Sequence, residues 1–412
     1  VHVLFLTENF PPEVNASATR VYERGVYWVN AGHDVTVVTC FPNFPQGRLY
    51  AGWKQRPWSE ERVDGIRVIR LPTYVARNEG FLRRTLDFVS FMCVAVLATP
   101  RLPRPDVVVA TSPQFFAAVG GWLVAALKRR PFVFELGDLW PASIRAVGAM
   151  RESAVLDWLE KLELFLYRRS AAVVALTRPF KADLVRRGID PAKIAVVMNG
   201  VDLPRYSPRP KDPGVLARHG LEGGFVVGYV GTHGLAHDLG NVLEAAERLR
   251  DVPQARLLFV GDGAAKPQLV EQARVRGLEN VVFVDPQPKE NMPAYWSACD
   301  VALVHLKNDP VFAEVIPSKM FEAMAMGLPL MLVAPAGEAS AIVEREGAGL
   351  VVPAGDPEAL AAAVRRLAGD PALRASLAQA AANAAPRYTR RRQAEQMMIA
   401  LERAARRQPV EP

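Results

Sequence analysis

Short, nearly continuous apolar runs recur along this chain, each set between stretches with helical spacing. In the first half they read "HVLFLT" (2–7), "DVTVVT" (34–39), "IRVIRL" (66–71), "DVVVAT" (106–111), "PFVFEL" (131–136), "AAVVALT" (171–177) and "KIAVVMN" (193–199). A second series starts at "FVVGYVG" (225–231) and continues through "ARLLFVGDG" (255–263), "VVFVD" (281–285), "DVALVHL" (300–306), "PLMLVAP" (329–335) and "GLVVP" (349–353). A strand apolar on both faces must be covered on both, which is the condition of a parallel sheet flanked by helices. The predicted fold class is α/β, with two doubly wound parallel-sheet domains facing one cleft.

Between the two series lies "GVDLPRYSPRPKDPG" (200–214), rich in Pro and Gly and without apolar periodicity, which reads as a linker. The expected domains are residues 1–200 and 201–385, and the tail 386–412 reads as one more helix, expected to pack back on the first. A chain of 412 residues is long enough for two separate cores. Its three cysteines, Cys40, Cys93 and Cys299, suit neither a metal site nor a disulfide framework, so a reducing cytoplasm fits. The opening "VHVLFLTENFPP" reads as a buried strand running into a loop, not a secretory signal.

Charge is uneven. Residues 1–200 hold 26 Lys and Arg against 18 Asp and Glu, whereas residues 201–412 hold 24 against 25. Anionic lipid, nucleic acid or a phosphorylated substrate could each account for such an excess, as could a solvated basic surface. The most apolar run, "FVSFMCVAVLA" (88–98), falls short of the ~20 residues that span a bilayer. It follows "FLRRTLD" and reads either as a core helix or as an amphipathic helix lying on a membrane.

Open α/β sheets bind ligands at the carboxyl ends of their strands. In the second half those positions carry "GTHG" (231–234), "GDG" (261–263) and "FAEVIPSKMFEAMAMGLPL" (312–330). Gly231 and Gly261 let backbone come close to a ligand, although a pair such as "GDG" serves equally as a plain strand-to-helix turn. Pro317 suits a first helical turn, Ser318 a cap, and Gly327 with Pro329 a stop. Glu314 then falls in the loop before the helix and Glu322 in its early turns. Two acceptors so placed reach different parts of one ligand.

In order, these segments resemble the retaining glycosyltransferase family 4, with its GT-B fold of two Rossmann-like domains. "RSAAVVALTRPFKADLVRRGIDPAKIAVVMNGVDLPRYSP" is similar to that family's interdomain crossing, "EVIPSKMFEAMAMGLPLM" carries its glutamate pair, and "ENFPPEVNASATRVYERGVYWVNAGHDVTVVT" resembles its first strand, acceptor-side loop and first helix. "ATRVYE", "GDLWP", "LKNDPVF" and "IPSKMFE" most resemble bacterial surface-polysaccharide transferases. The resemblance implies retaining transfer of a hexosyl or N-acetylhexosaminyl group, including 6-deoxy amino sugars. The donor would be a nucleotide diphosphosugar, with uracil the family's usual base, and the acceptor a lipid-linked or glycan hydroxyl. The first domain would bind acceptor and the second donor. A nucleotide-sugar 2-epimerase of the same fold and a non-catalytic sugar-nucleotide scaffold are the alternatives. A dehydrogenase would need a G-x-G-x-x-G after the first strand, and "TENFPPEVNAS" lacks it.

By the same resemblance Glu314 bonds donor-sugar hydroxyls, Glu322 holds the ribose diol, and the Pro317–Ser318 turn lies against the diphosphate. Gln287 and Pro288 read the base, Asp138 faces the attacking hydroxyl, and Asn15, Ser17 and Arg20 line the acceptor side. A helix-cap aspartate is the alternative for Asp138. The sequence departs from the family twice. Asn15 and Ala16 stand where members often have Gly-Gly, and the Arg and Lys common after the strand ending "GYVG" are missing. Lys319, and second Lys307, are the expected replacements beside the diphosphate. No cofactor, metal or nucleic acid is implied. The expected location is cytoplasmic, peripheral on the inner membrane face, where an anionic lipid surface is a further partner.

Overall fold

The computed structural model describes residues 1–13, 15–44, 46–75, 81–112, 114–138 and 154–410. Residues 139–141 of "GDLWP" and the Arg84 side chain lie outside the described set. The chain divides into two compact units, Val1–Met198 with Arg390–Pro412, and Asn199–Thr389.

Unit 1 holds eight strands: β1 (His2–Leu6), β2 (Asp34–Cys40), β3 (Ser59–Val63), β4 (Ile66–Leu71), β5 (Val107–Thr111), β6 (Phe132–Leu136), β7 (Ala172–Ala175) and β8 (Ile194–Val196). Their order is β3-β4-β2-β1-β5-β6-β7-β8. Seven run parallel. Their buried Val, Ile and Phe side chains fill a core with Val21, Trp28, Met397 and Leu401 from the flanking helices. The eighth, β3, pairs antiparallel with β4. It is a polar edge strand, "SEERV", joined to β4 through Asp64 and Gly65 at φ of +47° and +82°. Positive φ at both central residues is the mark of a two-residue hairpin turn.

The terminal helix Arg390–Ala405 belongs to this unit. It packs on the first helix, Ala16–Asn30, where Trp28 Nε1 donates to the Ala394 carbonyl at 2.8 Å and Arg390 pairs with Glu23 at 3.0 Å. The first helix is fixed to the sheet by a buried ion cluster. Arg24 Nη1 and Nη2 reach the two oxygens of Glu135 at 2.7 and 3.0 Å, with both side chains fully buried. Arg20 Nε lies 3.4 Å from the same carboxylate, and its Nη2 donates to Thr111 Oγ1 at 3.2 Å. Burial pushes the Glu135 carboxyl up, but Arg24 and Arg20 outweigh it and hold the pKa at about 2.

Unit 2 holds β9 (Phe225–Val230), β10 (Ala255–Val260), β11 (Val281–Val284), β12 (Val301–His305), β13 (Leu330–Val333) and β14 (Gly349–Val352), in the order β11-β10-β9-β12-β13-β14. All six are parallel. From β9 the chain winds outward through β10 to β11, then returns to β12 on the other side. The order therefore reverses between β9 and β12, the place where an open sheet leaves a crevice at its carboxyl edge.

The Arg24–Glu135 pair gives a stability prediction. Arg24→Met strips a buried carboxylate of its closest partner and is expected to cost about 3–5 kcal/mol, read as a fall in the urea midpoint. Adding Glu135→Leu should recover only part of the loss, because it removes the stranded carboxylate but leaves the buried Arg20 guanidinium without its counter-ion. Glu135 is held below its ordinary 4.5, so the pair's contribution is complete above that pH and fades as pH falls towards 2.

Candidate functional site

Because the strands of unit 2 are parallel, the segments after β9, β10, β11 and β12 all leave from one edge of the sheet. Gly231, Gly261, Gln287, Pro288 and Lys307 follow those strand ends, and the β12–β13 connection brings Glu314, Ser318, Lys319 and Glu322. Gly231 and Gly261 have φ of +137° and +141°. A Cβ on Gly261 would lie 2.1 Å from the Gly231 carbonyl oxygen, so the two turns interlock only without side chains. A Cβ on Gly231 would in turn lie 3.0 Å from Lys319 Nζ.

Lys319 is the central feature. Its Nζ is enclosed, has no hydrogen-bond partner, and sits 3.7 Å from the centre of the Tyr229 ring. Burial pushes its pKa from 10.5 down to about 7, against the opposing pull of Glu322. Glu322 Oε2 accepts from the indole of fully buried Trp296 at 3.3 Å, which fixes the carboxylate within the helix Lys319–Ala325. Glu314 closes the 3₁₀ turn Pro310–Glu314, with its Oε2 enclosed. That turn is pressed against Gly337, where a Cβ would stand 2.0 Å from the Ala313 carbonyl oxygen. Gly337 is extended (φ −177°), so space alone demands glycine there.

The helix start differs from the sequence expectation. Ser318 is helical (φ −60°, ψ −29°) and its side chain makes no capping hydrogen bond. Pro317 precedes the helix, and Met320 N and Phe321 N donate three residues back to Pro317 and Ser318 at 3.2 and 3.1 Å. The tight turn satisfies the first amides through backbone carbonyls, leaving the serine hydroxyl no cap to make. Gln287 Nε2 donates to the Asp285 carbonyl at 3.1 Å, and Pro288 leads into the turn Lys289–Asn291. Lys307 donates its backbone amide to Ala236 at 2.9 Å, and its charge partly offsets the burial that raises Asp238.

Sequence reasoning passed over three histidines of this edge. His237 Nδ1 lies 3.1 Å from the His305 carbonyl, His305 Nε2 lies 2.9 Å from Asn241 Oδ1, and His233 stacks on Tyr229. Burial holds their pKa values at about 3 for His237, 4 for His305 and 4 for His233, with Lys319 lowering each further. The signal was present in "GTHGLAH", which carries two of the chain's six histidines within five residues.

In unit 1, Asn15 caps the helix Ala16–Asn30 by accepting from Ala18 N at 2.9 Å, while its Nδ2 and Ser17 Oγ are enclosed without hydrogen bonds. Arg20 faces Glu135 and Thr111 beneath that turn. Asp138 follows β6, half-buried, with its backbone N and O both held by Ser112 Oγ at 3.3 and 3.2 Å. The helix-cap alternative for Asp138 concerns residues outside the described set. Among the described residues no three His, Cys, Asp or Glu converge as a metal site.

Two family models cover the two units, "Glycosyl transferase 4-like domain" over residues 15–200 and "Glycosyl transferases group 1" over residues 217–384. A D-inositol 3-phosphate glycosyltransferase of Kineococcus radiotolerans is 32% identical over 369 residues, covering 80% of this chain and 79% of the relative. The chain belongs to glycosyltransferase family 4. A putative colanic acid biosynthesis glycosyl transferase, WcaI of Escherichia coli, is 29% identical over 332 residues, 77% of this chain and 80% of WcaI. Among solved structures, HepE of Anabaena, crystallised with UDP-glucose, superposes with a TM-score of 0.74 at 19% identity over 97% of this chain and 99% of HepE. The transferase thus has the GT-B fold of two Rossmann-like units.

An enclosed amine without a hydrogen-bond partner destabilises the ligand-free transferase, the more so when it is protonated. Lys319→Met is expected to raise the thermal stability of the ligand-free protein by about 1–3 kcal/mol while removing any stabilisation by nucleoside diphosphates. In the wild type the same group makes stability climb as pH rises from about 7 towards 10.5, because the unfolded chain binds the extra proton over that window. Lys319→Met should flatten that rise in a pH series of melting curves.

Proposed function

We propose that the transferase moves a hexosyl or N-acetylhexosaminyl group, with retention, from a UDP-linked sugar to a hydroxyl of a lipid-linked or polysaccharide-precursor acceptor. The observation that carries this reading is the enclosed Lys319 ammonium, with Glu322 on its own helix and Glu314 on the turn before it, at the sheet edge where the strand order reverses. A diphosphate supplies the acceptor oxygens that Lys319 lacks. Carboxylates on either side suit the diols of a sugar and a ribose, since each offers two acceptor oxygens. The UDP-glucose in the HepE structure and the colanic acid biosynthesis in the name of WcaI support the same donor class and acceptor class.

In this reading unit 2 binds donor and unit 1 acceptor. Charge builds on the departing diphosphate as the sugar becomes oxocarbenium-like, and a fixed cation there stabilises the transition state more than the ground state. Lys319 fills that role without a metal ion. Asp138 takes a hydrogen bond from the attacking hydroxyl, Asn15 and Ser17 line the acceptor side, Arg20 supports their helix from below, and Gln287 with Pro288 borders the base. A thermal-shift panel of UDP, GDP and ADP tests the donor class, because a ligand at 100 times its dissociation constant adds about 2.7 kcal/mol. Glu314→Ala and Glu322→Ala should each lower transfer from a labelled donor at least ~100-fold, the scale for losing a transition-state hydrogen bond, with melting temperatures held within a few degrees. Near-full turnover by either variant at saturating donor overturns its assignment.

The same proposal places the enzyme on the anionic inner face of the cytoplasmic membrane. The helix Phe81–Leu97 buries Phe91 and Ala95 but exposes Leu86, Cys93 and Leu97, spaced seven and four apart and so on one stripe. Leu97 is 79% exposed, and Arg83, Arg101 and Arg104 are exposed as well. No described helix is long and apolar enough to cross a membrane. Basic side chains near anionic headgroups contribute ~1 kcal/mol each. Co-sedimentation with vesicles containing phosphatidylglycerol should fall with added salt, and fall further for Leu86→Gln with Leu97→Gln. Failure to bind such vesicles at low salt ends the membrane assignment.

A further inference from the structure

Three of the six histidines gather with Lys319 around the Tyr229 ring. His233 lies 5.7 Å from that ring, stacked at 27°, and His237 lies 5.9 Å away, edge-on. His305 joins them through its carbonyl, which accepts from His237 Nδ1. Four enclosed nitrogens in this one group lack a hydrogen bond of good geometry: Lys319 Nζ, both ring nitrogens of His233, which has only a backbone interaction with Gly261, and His305 Nδ1, beside the His237 backbone. Each such atom costs about 1–3 kcal/mol when left unsatisfied, so their clustering describes a site built for a ligand rich in acceptor oxygens. The charged neighbours do not fill that need. Glu322 acts on Lys319 from the same helix, while Lys266 and Asp262 act on His233 from the segment after β10.

The cluster is also short of positive charge for such a ligand. Its imidazoles are neutral at physiological pH, and the Lys319 ammonium is held only to about 7. At pH 8 most Lys319 side chains are therefore uncharged amines. A diphosphate diester brings two negative charges into this enclosure. An anion close by favours the ammonium strongly, and its binding shifts the equilibrium towards the protonated amine.

We propose that the donor's diphosphate enters unit 2 together with one proton, taken from the buffer by Lys319, while His233 stays neutral and donates a ring N–H to a phosphate oxygen. This rests on the donor reading above and adds to it a proton-linked step. No covalent bond changes: the amine lone pair takes the proton on binding and returns it to solvent when the nucleoside diphosphate leaves. A lysine that is uncharged at rest costs the empty protein less than a permanent guanidinium would, and becomes a full counter-ion only when the anion is there. Donor affinity should accordingly fall as pH rises through the window between the resting and bound pKa values.

The test is calorimetry of UDP binding at roughly pH 8, where the terminal phosphate (pKa about 6) is already ionised. Titrations in HEPES and in Tris, which differ in ionisation enthalpy, count the protons exchanged. The expected result is uptake of about one proton per UDP, with affinity weakening roughly tenfold per pH unit above it. Lys319→Met should bind UDP weakly and without proton uptake. His233→Phe, which keeps the aromatic packing on Tyr229 and Phe259, should weaken binding at least threefold yet keep the uptake. UDP bound tightly by the wild type with no proton exchanged overturns the proposal and leaves the donor reading standing. Wild-type affinity in His233→Phe overturns the role of the imidazole. Absence of binding by UDP, GDP and ADP alike overturns both readings.

Discussion

The carboxyl edge of the unit 2 sheet depends on an amine that the fold encloses and does not pair. Lys319 Nζ rests on the face of Tyr229, and cation–π attraction at about 0.5–2 kcal/mol is a poor substitute for the hydration it has given up. Several sequence choices follow from that one placement. Gly231, at φ +137°, holds a conformation strained for any side chain and lets the Lys319 amine come close, and Gly261 must lack a side chain so that its turn can lie against Gly231. The neighbouring imidazoles stay neutral because burial disfavours their charged form, and the nearby Lys319 adds to that effect.

Unit 1 handles buried charge in the opposite way. Arg24 and Glu135 satisfy each other with a bidentate contact, Arg20 and Thr111 complete the group, and the carboxyl is held near 2. Both clusters lie at the carboxyl ends of parallel strands, and both involve fully enclosed ionisable groups. One is internally closed and fastens a helix to a sheet; the other is left open. A closed cluster stabilises without inviting a ligand, and an open one carries a cost that only a ligand removes. That contrast separates architecture from site more clearly than burial or charge alone.

Much of the architecture was legible because both sheets are nearly all parallel. Strands such as "DVVVAT" and "PLMLVAP" had to be apolar on both faces, and the alternation with helices left few ways to wind them. The strand that sequence reading overlooked, Ser59–Val63, is the one that breaks this rule. It is antiparallel, at an edge, with Glu60 and Arg62 turned to solvent, so it carries no apolar run at all. Its only local signature was Asp64-Gly65, a hairpin dipeptide that periodicity does not register. The glutamate pair and Lys319 were visible as a motif, as was Arg20 as an acceptor-side candidate, but not the ion pair that Arg20 makes. Its actual neighbour, Glu135, is 115 positions away and is brought near only by the packing of helix on sheet.

The histidines show where a linear reading stops for a physical reason. His233 and His237 follow β9, and His305 ends β12, strands adjacent in the sheet but separated by three crossovers in sequence. Nothing local marks His305 as a partner of His237, because the contact runs through its backbone carbonyl. The reversal of strand order is what brings these residues together: it sets the end of an early strand beside the end of a late one, with the next connection, carrying Lys319, rising over both. The family's common Arg and Lys after β9 are missing, and in the proposed reading the cation comes from the later connection instead. An amine borrowed from across the reversal is enclosed on all sides by the loops that meet there. That enclosure makes its charge state conditional, which a cation on an exposed loop would not be.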